Sequence, residues 1–248
     1  MDELISEIED SVQIIRIDRV EAQNALSDDI CEAAADALSF AEGSSRVRAI
    51  LLTGVPGLFS IGQDPVELAR AADAGSLAEG VIRLFKTIAT IDKPVVAAID
   101  GVTTGSAVTL LFHCDYVVAS EWASLSAPFA ATGLPPEGGL SLIAPRQIGY
   151  QKAFGLLVMG DTLDAHQAMH TGIVNRVVPP EDVERTGRAA ASRLASLPPE
   201  AIRMARRMMR GERRDVVARI DQEANAFTDL LRSPAALDAL DAYLGRQR

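Results

Sequence analysis

The sequence predicts an α/β fold that gives way to an all-helical region beyond about residue 180. Two observations lead to this prediction. Up to that point, short segments rich in β-branched and apolar residues alternate with segments of helical periodicity, which is typical of strands joined by crossover helices. Beyond it, only helical spacing remains. We therefore expect an α/β core over residues 1–180 and a helical region over residues 181–248.

The strands and helices of the core are predicted in chain order from composition and capping signals. Ser27 is the expected N-cap of the first helix, because Asp28 and Asp29 follow in its first turn. Two further helical stretches are predicted over residues 76–91 and 103–114. The predicted strands are SVQIIRID (11–18), VRAILLTG (47–54), KPVVAAIDG (93–101) and DYVVAS (115–120).

The helical region contains an arginine-rich segment, RMARRMMRGERR (203–214). These arginines could meet the phosphates of an anionic ligand. Their helical spacing favours instead a solvated face, with Ile202, Ala205 and Met209 turned toward the core. Trp122 is expected to pack in the core or in the wall of a pocket.

The bulk composition excludes some function classes. The chain has 248 residues, 48% of them hydrophobic, and a formal net charge of −10. An acidic chain lacks the basic footprint of a general nucleic-acid binder, although a local basic patch can still bind an anionic small molecule. No uncharged apolar run reaches the length of a membrane span, so we expect no membrane association.

Cysteine, histidine and N-terminal patterns favour a cytoplasmic protein without a metal. Cys31 and Cys114 have no metal-type spacing and fit reduced thiols. His166 and His170 could share a helix face, but the surrounding residues are not those of a zinc motif. The acidic start, MDELISEIED, has neither the basic end nor the apolar stretch of a signal peptide.

Two loops could present backbone amides to a ligand. In LFSIGQDP (58–65), Gly62 follows a buried strand and permits an unusual backbone conformation, which could turn the Gln63 N–H into a cavity. In DGVTTGSAVTLLFHCD (100–115), small residues crowd the start of a helix, where free N–H groups attract negative charge. Two amides converging on one oxygen would form an oxyanion hole. An ordinary turn and the close packing of a buried helix are the respective alternatives.

A third stretch, GLPPEGGLS (133–141), places one acid, Glu137, between two prolines and two glycines. The flanking residues are apolar. The carboxylate is either a surface-turn or first-turn residue of the following helix, or a catalytic base in an apolar wall.

Together these stretches resemble the crotonase superfamily, also called the enoyl-CoA hydratase/isomerase family. The similarity runs over nearly the whole chain. RVEAQNAL (19–26) resembles the family's RPxxxNAL, FSIGQD resembles FSAGAD, and the stretch from Asp100 to Ser120 resembles NGxxxGGGxxLxxxCDxxxA. Residues 162–179 and 227–248 are similar to the family's later GLV segment and its C-terminal helix.

The resemblance implies a spiral of ββα units with a helical tail that assembles the chain into a homotrimer or a hexamer. It also implies an acyl-CoA thioester as substrate, with no cofactor besides that coenzyme A and no metal. The thioester oxygen would accept hydrogen bonds from the amides of Gln63 and Ser106. The substrate would be lined by seven further residues: Ala22, Ile61, Gly62, Asp64, Gly105, Thr109 and Phe129.

The sequence departs from the family's hydratases at two positions. Hydratases of the family hold a water between two glutamates, and the matching positions here are Thr109 and Phe129. Neither side chain is an effective base near neutral pH. PPEGGLS instead resembles the segment that carries the single glutamate of Δ3,Δ2-enoyl-CoA isomerases. Asp64 is expected to support its loop and the start of the next helix. Ile61 narrows the expected substrate site. Ser106 and Ala107, which stand in place of family glycines, narrow it further.

The resemblance therefore favours an isomerase that moves a double bond from 3-enoyl-CoA to 2-enoyl-CoA, with Glu137 as its base. Three alternatives remain open. The chain could run another enolate chemistry, such as thioester hydrolysis or decarboxylation. It could bind acyl-CoA without turnover, or serve as an assembly subunit. It could also be a weak hydratase.

Overall fold

The computed structural model describes residues 3–74, 77 and 79–246, apart from the side chains of residues 243, 244 and 246. Within these residues the main sheet has six strands, numbered in chain order and listed in spatial order: β1 (Leu4–Glu9), β2 (Val12–Ile17), β3 (Ala49–Thr53), β5 (Val95–Ile99), β7 (Tyr116–Ser120) and β10 (Arg176–Val178). The pairs from β2 to β10 are parallel, and β1 adds an antiparallel edge. The four predicted strands are confirmed as β2, β3, β5 and β7.

A second sheet, which the sequence analysis missed, consists of short strands. Among the described residues it runs in the order β4 (Leu58–Ser60), β6 (Val102–Thr104), β8 (Ser124–Ser126) and β9 (Thr162–Asp164). Each of these strands has three residues, which is too short for an alternating pattern to stand out. β1 was also missed, because its acidic residues lie on an exposed edge.

The helices predicted in the core are present, but the one predicted over residues 103–114 begins only at Ser106, because Val102–Thr104 form β6. No bounds were predicted for the helices between residues 140 and 171. The helices are α1 (Asp28–Gly43), α2 (Pro65–Ala74), α3 (Glu79–Thr90), α4 (Ser106–His113), α5 (Leu140–Ile148), α6 (Tyr150–Phe154), α7 (Ala165–Thr171), α8 (Val183–Ser196), α9 (Pro199–Arg210), α10 (Arg213–Leu231) and α11 (Pro234–Arg246). Ser27 caps α1 as predicted, since its Oγ accepts from the Ile30 N–H at 3.3 Å. Of the predicted stretch 76–91, residues 76 and 78 lie outside the described residues.

The main sheet is covered on both faces. Residues of α1 and α3 pack with Ile15, Ile50 and Leu52 on one side, and residues of α8 pack with Leu51 and Ala98 on the other. Strands β3 and β5 are accordingly buried along their whole length, as parallel strands between two helical layers are. The first helix after residue 180 therefore belongs to the layer on the sheet. No helix among the described residues is long and apolar enough to cross a bilayer.

Candidate active site

The corner that carries Glu137 is held in place by its backbone. Gly138 has φ +67°, and a Cβ on it would lie 2.6 Å from Cγ2 of Thr109 and 2.8 Å from the ring of Phe85. Only glycine fits that combination of left-handed backbone and close approach. The glycine after Glu137 is thus required for the chain to turn against α3 and α4.

Two buried side chains from other elements form hydrogen bonds with the backbone of this corner. His113, at the end of α4, bonds the Gly138 carbonyl through Nε2 at 2.7 Å. A carbonyl can only accept, so Nε2 carries the proton. Glu223 of α10 accepts from the N–H groups of Gly139 and Ser141, the latter at 2.9 Å. These are free amides at the start of α5, so Glu223 acts as its cap from a distant helix.

Burial shifts the pKa of both supporting groups. The His113 pKa is lowered to about 4, mainly because burial disfavours the imidazolium. His113 is therefore neutral near pH 7. Burial raises the pKa of Glu223, and the hydrogen bonds from the 139–141 backbone and the charge of Arg219 oppose that rise.

The loops predicted to supply amides lie against each other. A Cβ on Gly62, whose φ is +84°, would approach the Thr104 carbonyl oxygen to 2.6 Å and the Ser106 nitrogen to 3.0 Å. Glycine at this position allows the loop after β4 to reach the start of α4. Among the hydrogen bonds of the described residues, the amides of Gln63 and Ser106 donate to no protein acceptor. Both N–H groups are thus free for a ligand oxygen.

Glu137 lies inside the molecule and beside these two residues. The residue is only 5% exposed. Oε1 accepts from the hydroxyl of Ser106, and Oε2 accepts from the side-chain amide of Gln63. The interpretation of Glu137 as a surface-turn residue is therefore wrong.

The environment brings the pKa of Glu137 close to neutral pH. Burial raises its pKa from 4.5 to about 7, the hydrogen bonds from Ser106 and Gln63 oppose the rise, and the charge of Glu223 adds to it. No cation pairs with Glu137 among the described residues. A general base works best when its pKa lies near the operating pH.

A cavity of about 190 Å³ opens in front of Glu137. Gln63, Gly105 and Ser106 form part of one side, and the rest of the wall is mostly apolar. Among its described lining residues, Glu137 carries the one carboxyl group. The apolar wall consists of Ile61, Pro65, Leu68, Pro128, Phe129, Leu134, Phe227, Leu231, Ala236, Ala239 and Leu240. α10 and α11 thus close the cavity of the α/β core.

Asp64 supports its loop as predicted. Its Oδ1 accepts from the N–H groups of Val66 at 2.9 Å and Glu67 at 3.3 Å, at the start of α2. Its Oδ2 bonds Arg19 at 2.7 Å. Burial acts to raise the Asp64 pKa, but these hydrogen bonds outweigh it and the pKa is lowered. Asp64 does not line the cavity.

The other predicted substrate-binding residues fall into three places. Ile61, Gly105 and Phe129 line the cavity. Gly62 lies between the lining residues Ile61 and Gln63 in sequence but is not part of the lining itself. Ala22 belongs to the early loop, which pairs with the 61–64 loop through Leu26 N–H to Gly62 O at 2.7 Å. Thr109 is completely buried and outside the lining, and its hydroxyl has no hydrogen-bond partner in the described part of the chain.

Two predictions outside the site are wrong. Trp122 is 71% exposed and lies neither in the core nor in the cavity wall. On α9 the expected faces are inverted: Arg206 is buried at 7% exposure, whereas Met209 is 87% exposed. Arg206 bonds the Ile91 carbonyl at 2.8 Å and pairs with Asp115 at 2.9 Å. An acid distant in sequence thus holds Arg206 in the protein interior. Helical spacing alone does not predict such a pairing.

Four features of the site were not predicted from the sequence: His113, Glu223 and the side-chain roles of Gln63 and Ser106. His113 and Glu223 are far from Glu137 in sequence, so only the fold brings them to the corner. A signal was available for Ser106 and Gln63. Ser106 was recognised as standing in place of a family glycine, and Gln63 stands where FSAGAD has alanine. A polar side chain at such a position must find a partner nearby.

The fold and this site define an acyl-CoA enzyme of the crotonase type: two adjacent loops carry backbone amides without a protein acceptor, beside a buried carboxyl group that lines an apolar cavity. The sequence pattern of the enoyl-CoA hydratase/isomerase family matches residues 7–248. The chain belongs to this family.

Individual relatives agree with this assignment. The chain is 30% identical over 203 residues to a probable enoyl-CoA hydratase of Mycobacterium tuberculosis, covering 82% of this chain and 79% of the relative. It is 31% identical to the 1,2-epoxyphenylacetyl-CoA isomerase of Escherichia coli, over 80% of this chain and 78% of that protein. The crystal structure of an enoyl-CoA hydratase/isomerase from Pseudoalteromonas atlantica superposes with a TM-score of 0.92 at 31% identity, covering 99% and 98% of the two chains. The predicted crotonase-like fold is thereby confirmed.

Proposed function

We propose that the protein isomerises 3-enoyl-CoA thioesters to 2-enoyl-CoA thioesters, with Glu137 as the single proton shuttle. One observation carries this proposal: Glu137 is the one carboxyl group among the described residues that line the cavity, and it lies beside the free amides of Gln63 and Ser106. Moving a double bond by one position needs one base and one oxyanion hole, which matches this arrangement.

The reaction begins with proton removal from C2 of the bound thioester. The Gln63 and Ser106 amides donate to the thioester oxygen, where negative charge develops as the dienolate forms. Glu137 takes the C2 proton and returns it to C4. The Ser106 hydroxyl can donate to the carboxylate and, after rotation, accept from the carboxylic acid, so it can hold Glu137 in both protonation states.

The apolar wall serves the same chemistry. It keeps the carboxylate poorly solvated, which raises its basicity, and it limits proton exchange with water before the proton returns. Phe129 and Leu134 belong to this wall. We expect a substantial share of the C2 proton to be transferred to C4 without exchange with solvent.

A hydratase is the second candidate, because several relatives bear that name. Hydration by the family's usual route needs two carboxylates that hold a water between them. The matching positions carry Thr109, which lies outside the cavity, and Phe129, which has no acid or base group. The cavity therefore supports isomerisation better than hydration.

The assembly is also part of the proposal: we infer a homotrimer or hexamer built through the helical region. Met204, Met208 and Met209 of α9 expose an apolar face, with Met208 at 77% and Met209 at 87% exposure. Such a face is typical of an interface between subunits. Light scattering of the purified chain measures the mass directly. A cytoplasmic location fits the two free cysteines, Cys31 and Cys114.

The test of function is turnover of 3-enoyl-CoA by wild type and Glu137→Gln. We expect conjugated 2-enoyl product from wild type, followed by ultraviolet absorbance, and a rate at least about a hundredfold lower from the variant. Asp64→Asn is a second carboxyl-to-amide change, outside the cavity. It should retain turnover if its loop stays folded. Equal turnover by wild type and Glu137→Gln would refute the proposal, as would hydration as the sole reaction.

A further inference from the structure

Ser106 has more contacts than an amide donor needs. It is the first residue of α4, it is 2% exposed, and it lines the cavity. Its hydroxyl donates to Oε1 of Glu137, the one carboxylate among the described residues that line the cavity. A serine hydroxyl becomes a useful nucleophile when an adjacent base can take its proton. Ser106 and Glu137 form such a pair.

The oxyanion hole lies at the same residue. A thioester oxygen bound to the Ser106 N–H brings its carbonyl carbon next to the hydroxyl of that same serine. The second donor, the Gln63 N–H, comes from the loop that Gly62 places against Ser106. Nucleophile, base and oxyanion donors thus meet in one cavity, which are the parts that acyl transfer requires.

We propose that Ser106 is a nucleophile that accepts the acyl group of a CoA thioester, giving the protein a thioester hydrolase activity besides the proposed isomerisation. Both activities use the proposed oxyanion hole and Glu137, but their first chemical steps differ. Isomerisation removes a proton from C2, whereas acyl transfer forms a bond to the carbonyl carbon. Hydrolysis therefore needs no double bond in the acyl chain.

The covalent step balances without a cofactor. The Ser106 Oγ forms a bond to the carbonyl carbon, its proton moves to Oε1 of Glu137, and the carbonyl π electrons move to the oxygen held by the two amides. When the carbonyl re-forms, the carbon–sulfur bond breaks, and the CoA sulfur leaves with that electron pair and takes the proton from Glu137. A thiolate is a good leaving group because the thiol is a fairly strong acid, with an ordinary pKa of about 8.5.

Solvent water completes the cycle. Water attacks the acyl carbon, Glu137 takes a proton from it, and the bond from the carbon to the Ser106 oxygen breaks as that oxygen recovers the proton. The net reaction consumes one thioester and one water and yields a carboxylic acid and free CoA. Both halves use Glu137 as base and then as acid.

Saturated acyl-CoA thioesters test this proposal separately from isomerisation, since they hold no double bond to move. Wild type, Ser106→Ala and Glu137→Gln are incubated with butyryl-CoA and octanoyl-CoA. Free CoA is followed with a thiol reagent, and the intact protein mass is measured after an acid quench. We expect CoA release by wild type, a mass gain of one acyl group that maps to Ser106, and at least about a hundredfold loss of release in both variants.

Controls separate the hydroxyl from the rest of the site. Ser106→Ala and Ser106→Gly both keep the backbone N–H, so ligand-induced thermal shifts with each acyl-CoA should persist. Ser39→Ala, on α1 and remote from the cavity, removes a hydroxyl that bonds its own helix and should release CoA as wild type does.

Three outcomes would overturn the assignment of Ser106. CoA release that persists in Ser106→Ala would mean that Glu137 acts on water directly. An adduct that persists in that variant would place the acyl group on another residue. No release above the enzyme-free blank would mean that the hydroxyl only holds Glu137. None of these outcomes bears on the turnover of 3-enoyl-CoA, so the two proposals can fail separately.

Discussion

Glu137 and Asp115 are both carboxyl groups held away from bulk solvent, but their surroundings differ. Asp115 pairs with Arg206 and Arg210 of α9, each at 2.9 Å. Within the described part of the chain, Glu137 pairs with no cation and accepts hydrogen bonds from the neutral side chains of Gln63 and Ser106. The first arrangement surrounds its carboxyl group with two guanidinium groups, and the second gives its carboxyl group neutral hydrogen-bond donors.

Asp92 extends the paired arrangement. It accepts from Arg207 at 2.6 Å and from Arg213, and although burial acts to raise its pKa, these two arginines lower it overall. Glu137 shows the opposite result, since burial prevails and raises its pKa to about 7. A buried acid without a cation is costly to keep ionised, so its presence in a cavity indicates function, whereas the paired acids anchor α9.

The largest stability effect is expected at the paired site. Arg206→Met keeps the volume of a side chain that is 7% exposed but removes the ion pair with Asp115 and the bond to the Ile91 carbonyl. Asp115 keeps Arg210, so the loss comes from one of its two cations and from the donor to the Ile91 carbonyl. We expect a loss of about 3–4 kcal/mol in the free energy of unfolding, measured by urea denaturation.

Arg207→Met is the matched control, one residue along the same helix. Its ion pair with Asp92 is exposed on the arginine side, and Asp92 keeps Arg213. The expected loss is below about 1 kcal/mol. Equal losses for the two variants would show that burial does not distinguish these ion pairs.

The next largest loss of stability is expected at the corner that carries Glu137, through a change in its backbone. Gly138→Ala forces a side chain into a position with φ +67° and 2.6 Å from Thr109. Strain and overpacking together should cost about 2–4 kcal/mol and displace Glu137, so turnover should fall as well. Unfolding free energy and 3-enoyl-CoA turnover are the two measurements.

Gly172→Ala separates strain from packing. Gly172 has a left-handed backbone with φ +92°, but a Cβ there would meet no described atom within 4 Å. It should lose only about 1 kcal/mol and retain turnover. If Gly172→Ala were as damaging as Gly138→Ala, the contacts of the corner with Thr109 and Phe85 would not be the cause.

The contrast between the two regions also explains what sequence could predict. The backbone parts of the site were predictable: Gly62, Gly105 and the amides of Gln63 and Ser106 lie where a strand ends and a helix begins, and local chain geometry fixes such positions. The parallel strands were predictable for the same reason, since β3 and β5 read as continuous apolar runs.

The side-chain environment was not predictable, because it depends on contacts between distant residues. Whether Glu137 points inward depends on His113 and Glu223, which hold its corner from α4 and α10. The direction of Arg206 depends on Asp115, 91 residues earlier in the chain. Helical periodicity assigns methionine to the core and arginine to the surface. On α9 it therefore placed Met209 inside and Arg206 outside, the opposite of what the structure has.

The third prediction concerns the pH dependence of stability. Since burial raises the Glu137 pKa from 4.5 to about 7, the folded state favours the protonated acid. That stabilisation is fully present below about pH 4.5 and is lost as pH rises through about 7. Glu137→Gln stays neutral throughout. It should be more stable than wild type by about 2–3 kcal/mol at pH 8 and no more stable at pH 4.5.

Chemical denaturation of both proteins at several pH values measures this difference. His113 titrates in the acidic range, where its lowered pKa removes stability as pH falls, but it does so in both proteins and cancels in the comparison. A gain that is the same at pH 8 and pH 4.5 would mean that the substitution acts through packing and not through the charge of Glu137.

The smallest expected effect is in the pH dependence of turnover, and it tests the difference between the two regions most directly. If ionised Glu137 is the base and its pKa is about 7, kcat/KM for 3-enoyl-CoA should rise about tenfold from pH 6 to pH 8 and level off above that. An acid with two arginine partners, like Asp92, would already be ionised at pH 6. It would therefore give a flat profile. Arg207→Met, which alters only the paired region, should leave the profile unchanged. A flat wild-type profile would place Glu137 with the paired acids, as a structural charge, and would remove the physical reason for regarding it as the proton shuttle.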